Sequence, residues 1–485
     1  MAFLIGGANS LTAAYNVENS LRFDKGSSSL LYRDQSTPTN NKICTLSCWV
    51  KRCALEGTEL LHGGYPAGSG TDINDTKITF QSTAVSRLFC QNAIEDATDF
   101  GKRTNAWFRD FSAWYHVVLA VDTTDGTIGD RIKIYVNNLR DTWDGTYAAD
   151  DGPDQNIILN WNVATTASNQ NRHSIGLTGT NYCNMYLAEA VFIDGQQLTP
   201  SSFGEYDEDS GIWKPKSVGG LTFGDNGWYL EFKNSAVGSG ASDTIGADSS
   251  GNDNHFTSSG VAVTDHTTDT PTNNFCTLNA INPTETNASF AEGNLKFTNT
   301  LNSSPHHGLA HGTMAVAKGK WYWEVRVDAI GGTAMGIGAE EVSAFGKNNV
   351  AGNQGISLFN HGYTHQRGSD VAVSGDTTYT TNDIIGVALD MDNRKIYFHK
   401  NGTYFNSGDP TSGATGTGAI SFNAADVTMT PAVSNYNSGI CNVNFGSPQW
   451  AVSSSQADDD GYGNFEYDVP ASFFALCTKN LAEYG

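Results

Sequence analysis

The run Asp383 to Gly402, D-I-I-G-V-A-L-D-M-D-N-R-K-I-Y-F-H-K-N-G, constrains the chain more than any other stretch. Ile384, Ile385, Val387, Ala388 and Leu389 make a near-continuous apolar arm, Asp392-Asn393-Arg394 is a turn signal, and Ile396 and Phe398 then alternate with Tyr397 and His399. This is the pattern of a β-hairpin. The unbroken apolar arm predicts a strand buried on both faces, and the alternating arm predicts a strand with one face toward water. A two-stranded hairpin is marginal alone, so a larger antiparallel sheet must surround it.

A second copy lies upstream. Trp114 to Asp122, W-Y-H-V-V-L-A-V-D, is followed by a turn-rich segment and by Arg131 to Asn138, R-I-K-I-Y-V-N-N. Apolar arm, Asp, turn, Arg, K-I-Y and a closing Asn recur, which marks an internal repeat. At 485 residues the chain also exceeds what one core usually fills. The expectation is an all-β chain of two antiparallel β-sandwich, jelly-roll domains plus connectors. Charged residues are only 16% of the chain and glycines number 52, so Asn, Thr, Ser and Gly must supply the polar surface, a composition suited to short strands and many turns.

Twenty-eight Lys and Arg against 51 Asp and Glu give a net charge of −23. A field of that sign repels phosphate backbones and anionic lipid surfaces, which argues against nucleic acid and membrane as partners. It also keeps a multivalent assembly soluble, and it is equally the mark of a salty habitat. The opening Met1-Ala2-Phe3-Leu4-Ile5-Gly6-Gly7 has too short an apolar run for a signal-peptide core, and no stretch approaches ~18 apolar residues. The expectation is synthesis in a reducing cytoplasm. Of the eight cysteines, Cys44 and Cys48 share strand parity with Leu46 and Val50, and Cys44, Cys48 and Cys53 have no nearby His to complete a zinc site. They are expected to be buried free thiols.

In order, the chain divides into an arm at 1–16, a first sandwich at 17–214, a connector with added strands at 215–280, a second sandwich at 281–450, and a tail at 451–485 that docks on the body. S-L-R-F-D (Ser20 to Asp24), T-L-S-C-W-V-K-R (Thr45 to Arg52), the Trp114 hairpin and N-M-Y-L-A-E-A-V-F-I-D-G-Q-Q-L-T-P (Asn184 to Pro200) resemble a laminin-G or concanavalin A-like domain. Gly319 to Val327, Met335 to Gly338, the Asp383 hairpin, Pro431 to Ser434 and Cys441 to Gly446 resemble the SPRY family. That resemblance implies a second bent sandwich, one that binds partners through loops at its end. Thr270 to Asn279 and Asp468 to Leu481 resemble a closing signature of tailed-bacteriophage proteins, marine ones especially.

Concanavalin A-like glucanases need two carboxylates about 5–5.5 Å apart, usually on an E-x-D-x-x-E strand. The nearest stretch, Glu205-Tyr206-Asp207-Glu208-Asp209-Ser210, lacks that spacing, and no G-x-S-x-G, H-E-x-x-H or phosphate-binding loop occurs. The expectation is no enzyme. His306, His307, His311, His361 and His365 read as polar turn residues rather than metal ligands. Asp248, Asn252, Asp253 and Asn254 offer hard oxygens for calcium, with a tract of Asx turns as the alternative; no other cofactor is implied. The candidate binding loops are Glu341 to Asn353, Asn360 to Asp370 and Asn406 to Gly418. Tyr363, His365 and Arg367 either stack on and hydrogen-bond a ligand or simply fill turns.

The phage resemblance implies a non-enzymatic virion protein assembled in the host cytoplasm with other virion proteins, as a homo-oligomer such as a trimer. Its expected role is that of a tail-fibre or tail-tip adhesin binding host-surface glycan or protein. Alternatives are a capsid-decoration or head-fibre protein, and a lectin or glycan-degrading enzyme.

Overall fold

The computed structural model describes residues 15–64, 75–82, 86–94, 97–144, 152–166, 171–178, 181–281, 287–300, 308–338, 355–366, 369–372, 378–422, 428–435 and 437–485. The chain is all-β, and among the described residues four large sheets pack as two sandwiches around separate cores. In the first, one sheet runs Leu139–Arg140, Ile132–Val136, Trp114–Asp122, Ile43–Arg52, Met185–Asp194, Ser20–Phe23, His266–Thr267. The facing sheet runs Thr257–Ser259, Leu30–Asp34, Arg172–Ile175, Thr58–Gly64, Asp75–Phe80, Leu88–Ile94, Ala97–Arg103. Leu46, Val50, Leu119, Phe192 and Trp228 from one side meet Leu31, Leu61, Ile78, Phe80 and Ile175 from the other. Each such buried side chain contributes about 1.5–3 kcal/mol of transfer free energy.

The second sandwich repeats the plan. One sheet runs Ala288–Ala291, Lys296–Asn299, Gly439–Asn444, Lys320–Ala329, Ile384–Asp390, Lys395–Lys400, Thr403–Tyr404. The other runs Gly308–His311, Thr430–Asn435, Ala334–Gly338, Gly355–Phe359, Tyr363–Gln366, Ser369–Ala372. In both sandwiches the hairpin's inner arm pairs with a ten-residue strand, Ile43–Arg52 or Lys320–Ala329. Thus the repeat visible in the sequence is a repeat of sheet position.

The Asp383 hairpin pairs from Ile385↔Lys400 to Asp390↔Lys395, and the Asp390 carboxylate closes the turn by accepting the Asn393 amide at 2.9 Å. Its first arm is buried on both faces, as the unbroken apolar run predicts. The second arm departs from expectation: Tyr397 and His399 are only 2% and 1% exposed. The reason is the C-terminal tail, which lies over that face and packs Phe465, Phe473 and Ala475 against Tyr322, Ala388 and Tyr397. Phe474–Ala475 even joins the sheet, in parallel with Lys320–Ala329. The Asp458 carboxylate holds the tail's shape by accepting the Ala475 and Tyr462 amides and the Asn480 side chain.

Between the sandwiches, residues 215–280 extend both sheets of the first one. Trp228–Leu230 pairs with Met185–Asp194, Thr257–Ser259 with Leu30–Asp34, and His266–Thr267 with Ser20–Phe23. The seam is polar and buried. Arg22 meets Asp265 at 3.1 Å, Lys51 meets Asp269 at 2.8 Å, and the Tyr186 hydroxyl donates to the Gly293 carbonyl. All eight cysteines are buried free thiols, and burial raises the thiol pKa of each. Among the described residues, no helix is long and apolar enough to cross a membrane.

Candidate binding surfaces

Near the edge of the second sandwich, Gly355–Phe359 turns into Tyr363–Gln366, and the turn closes with the Gly362 amide on the Phe359 carbonyl at 3.0 Å. Gly362 sits at φ +86°, a region that costs glycine nothing. The tight reversal lines up three rings. Phe359 and His361 stack with centroids 5.5 Å apart, and Tyr363 follows 5.6 Å from His361. Tyr363 is 45% exposed, so the ladder ends in an open aromatic face. His365 lies on the same strand, opposite Ser357 and Asp370, but its side chain is outside what the structure describes. Arg367, His306, His307 and the Glu341 to Asn353 loop also lie outside the described residues. The Asn406 to Gly418 loop is closed on itself, with Asp409 capping the Thr411 amide.

A second surface, not anticipated from the sequence, belongs to the first sandwich. Asn137 and Asn138 both take positive φ, forming the tight turn that lets Leu139 pair back against Val136. Leu139 is left 70% exposed beside Trp107, itself 46% exposed. Together with Phe108, Tyr115 and Val136 they wall an open groove of about 690 Å³, rimmed by Asn105, Asn137, Arg140, Asp141 and Thr142. The Trp107 indole is held by guanidiniums on Arg87 and Arg109, 4.8 and 4.3 Å from the ring centre. On the rim, Arg140 pairs with Asp130 at 3.1 Å, and the Asp141 carboxylate accepts the neutral Asn105 backbone amide at 3.0 Å. The one local signal was a tryptophan in a polar turn, N-A-W-F-R-D. Its partners come from a separate hairpin, which no window on the sequence joins to it.

The carboxylates weighed for catalysis form a turn clasp. Asp207 accepts the Ser210 amide and hydroxyl and the Lys214 ammonium, and these contacts, the Ser210 amide first, hold its carboxyl well below the usual range. Glu205 is exposed on the same hairpin, 3.8 Å from Lys214. In the candidate calcium loop, both Asp248 oxygens are taken by the chain: Oδ1 accepts the Tyr229 and Ser250 amides, Oδ2 the Ser250 hydroxyl and the Asn254 amide. Asn252 turns its amide nitrogen to the Gly224 and Gly227 carbonyls, while the Asp253 side chain is 90% exposed. Among the described residues, no three His, Cys, Asp or Glu are grouped to hold a metal ion. His311 is engaged with Thr430, at 2.9 Å.

Residues 320–448 match the SPRY domain family. Among solved structures, the SPRY domain of human HERC1 is similar at 19% identity, over 32% of this chain and 91% of that one, with a TM-score of 0.25. The TRIM65 PSpry domain is similar at 13% identity, over 35% of this chain and 91% of that one, TM-score 0.26. A heptameric SAP-like pentraxin from Limulus polyphemus is similar at 12% identity, over 38% of this chain and 80% of that one, TM-score 0.27. No curated protein matches the chain.

Proposed function

We propose that this chain, with a SPRY domain in its second sandwich, is a non-enzymatic recognition protein of a tailed-phage virion, and that its first sandwich is of the laminin-G, concanavalin A-like class. Its role is to attach the particle, from a tail fibre or tail tip, to host-surface glycan or protein. The groove at Trp107 is the observation that carries this reading. Its volume of about 690 Å³ falls in the ligand-sized range, and it combines an exposed indole with amide and hydroxyl groups on its rim. With Arg140 already paired to Asp130 and with Asn105, Asn137 and Thr142 on the rim, the groove suits an uncharged polar ligand such as a saccharide. The Tyr363 ladder supplies a second aromatic contact on the other sandwich. Two modest sites on a multimer add by avidity, without any tight single site.

The test is binding of purified full-length protein to host-cell envelope, native and after periodate oxidation of its glycans. Trp107→Ala combined with Tyr363→Ala should lower retention at least tenfold; loss of retention after periodate marks a glycan receptor, and retention that survives it marks a protein one. Unchanged retention by the double variant, or depolymerised polysaccharide in the supernatant, would overturn the reading.

A further inference from the structure

Lys51 sits on the Ile43–Arg52 strand, and its side chain is 1% exposed. It reaches out of the first sandwich into the seam, where the chain runs from Asp269 to Phe275 toward the second. Three oxygens meet its Nζ: Asp269 Oδ2 at 2.8 Å, Asn274 Oδ1 at 2.7 Å and the Phe275 carbonyl at 3.1 Å. The walls are aromatic, since the Trp114 indole donates to Asp269 Oδ1 at 3.2 Å and the Tyr186 ring centre lies 5.5 Å from Nζ. Asn274 is held in one orientation, its Nδ2 donating to the Ser112 carbonyl at 2.6 Å. A buried amine and a buried carboxylate thus meet a half-buried carboxamide at one site. The amide carbon lies one carbonyl bond, about 1.2 Å, behind an oxygen that Nζ already touches.

We infer that Lys51 and Asn274 join through an intramolecular isopeptide bond, with Asp269 as the proton acceptor. Holding amine, amide and base together makes the condensation unimolecular and removes the entropy cost of encounter. Asp269 takes one ammonium proton from Lys51, and the freed Nζ lone pair adds to Cγ of Asn274. The Cγ–Nδ2 bond then breaks. Of the three ammonium protons, one ends on Asp269, one leaves with Nδ2 as ammonia, and one stays on the new amide nitrogen. No oxidant, reductant or cofactor enters. The reaction also replaces a buried ion pair, which is costly to desolvate, with a neutral amide beside a neutral carboxyl. The bond would link positions 223 residues apart and tie a central strand of the first sandwich to the segment entering the second. This inference does not depend on the proposed adhesion.

The experiment is intact mass measurement of the denatured full-length chain, followed by tryptic peptide mapping. The expected mass is lower than the sequence mass by one ammonia, with no cleavage after Lys51 and its peptide covalently joined to the one holding Asn274. Lys51→Arg, Asn274→Ala and Asp269→Ala should each restore the full mass of their sequences. Asn274→Asp should form the same bond with loss of water instead. A wild-type mass equal to the sequence mass overturns the inference, whether or not the variants fold. Loss of water with Lys51 joined to Asp269 overturns the choice of Asn274 as the acceptor.

Discussion

The hydroxyl of Tyr322 lies 2.8 Å from Nε2 of His399 on the hairpin's second arm, and both residues are sealed from water. The Gly402 amide donates to His399 Nδ1, which leaves the imidazole proton on Nε2. That N–H donates to Tyr322, and Tyr322 in turn donates to Glu324. Glu324 then accepts the backbone amides of Glu466 and Tyr467 in the tail. A chain of neutral donors and one carboxylate thereby links the hairpin to the segment that covers it.

His399 fits because its cross-strand neighbour is Gly386. A Cβ at Gly386 would stand 1.8 Å from His399 Nε2, closer than any real contact. Gly386→Ala should therefore cost on the order of 2–3 kcal/mol by overpacking, read as a lower urea midpoint by circular dichroism. A midpoint equal to wild type would show that the relay is not formed.

Burial pushes the His399 pKa down to about 3, below its unfolded value near 6.5. The folded state therefore binds fewer protons than the unfolded one between those values, so this group's contribution is complete above about pH 6.5 and lost as pH falls toward 3. The stability gap between wild type and His399→Gln should narrow by about 1.4 kcal/mol per pH unit across that window. Denaturation midpoints at several pH values check it. His116 and His173, also pushed down to about 3 by burial, accept the Trp213 and Trp228 indoles at Nδ1 and should behave alike.

Glu189 is the opposite case. It occupies a β-bulge at φ +49°, and both the Tyr15 and Tyr229 hydroxyls donate to its Oε2. Burial raises its pKa to about 7, so the folded state holds a proton that the unfolded state releases above about 4.5, and stability falls as pH rises through that window. Glu189→Gln should raise the melting temperature at pH 8 by an amount worth up to ~3 kcal/mol, with the gain vanishing below pH 4.5. A gain that does not depend on pH would refute this.

Trp107→Ala and Tyr363→Ala each remove a ring that is about half exposed. Each should change stability by no more than about 0.5 kcal/mol while binding falls. Unfolding curves beside the envelope assay would separate a binding role from a packing role.

Cutting the Asp458 clasp tests the tail. Asp458→Ala leaves the buried Ala475 amide without its acceptor, at a cost of about 1–3 kcal/mol, while Asn480 Nδ2 loses one of its two acceptors and keeps the Ala475 carbonyl. Limited proteolysis should then release the segment after residue 451 sooner than in wild type, and an unchanged digestion pattern would count against its role as a clamp.

The amino-acid sequence by itself determined the two hairpins, the doubly buried inner arm at Ile384–Asp390 and the all-β sandwich class. These follow from strand periodicity and turn chemistry, which act over a few residues and are written locally. It did not determine which faces are covered. Tyr397 and His399 alternate like a solvent-facing strand, yet the tail lies over them. Trp107 becomes a groove only where the Leu139 hairpin folds beside it, and Lys51 meets Asp269 and Asn274 only because residues more than two hundred positions away cross the same seam. Only the tertiary structure decided these, because burial and proximity between distant segments depend on how sheets and straps pack, and that packing leaves no mark on the local pattern.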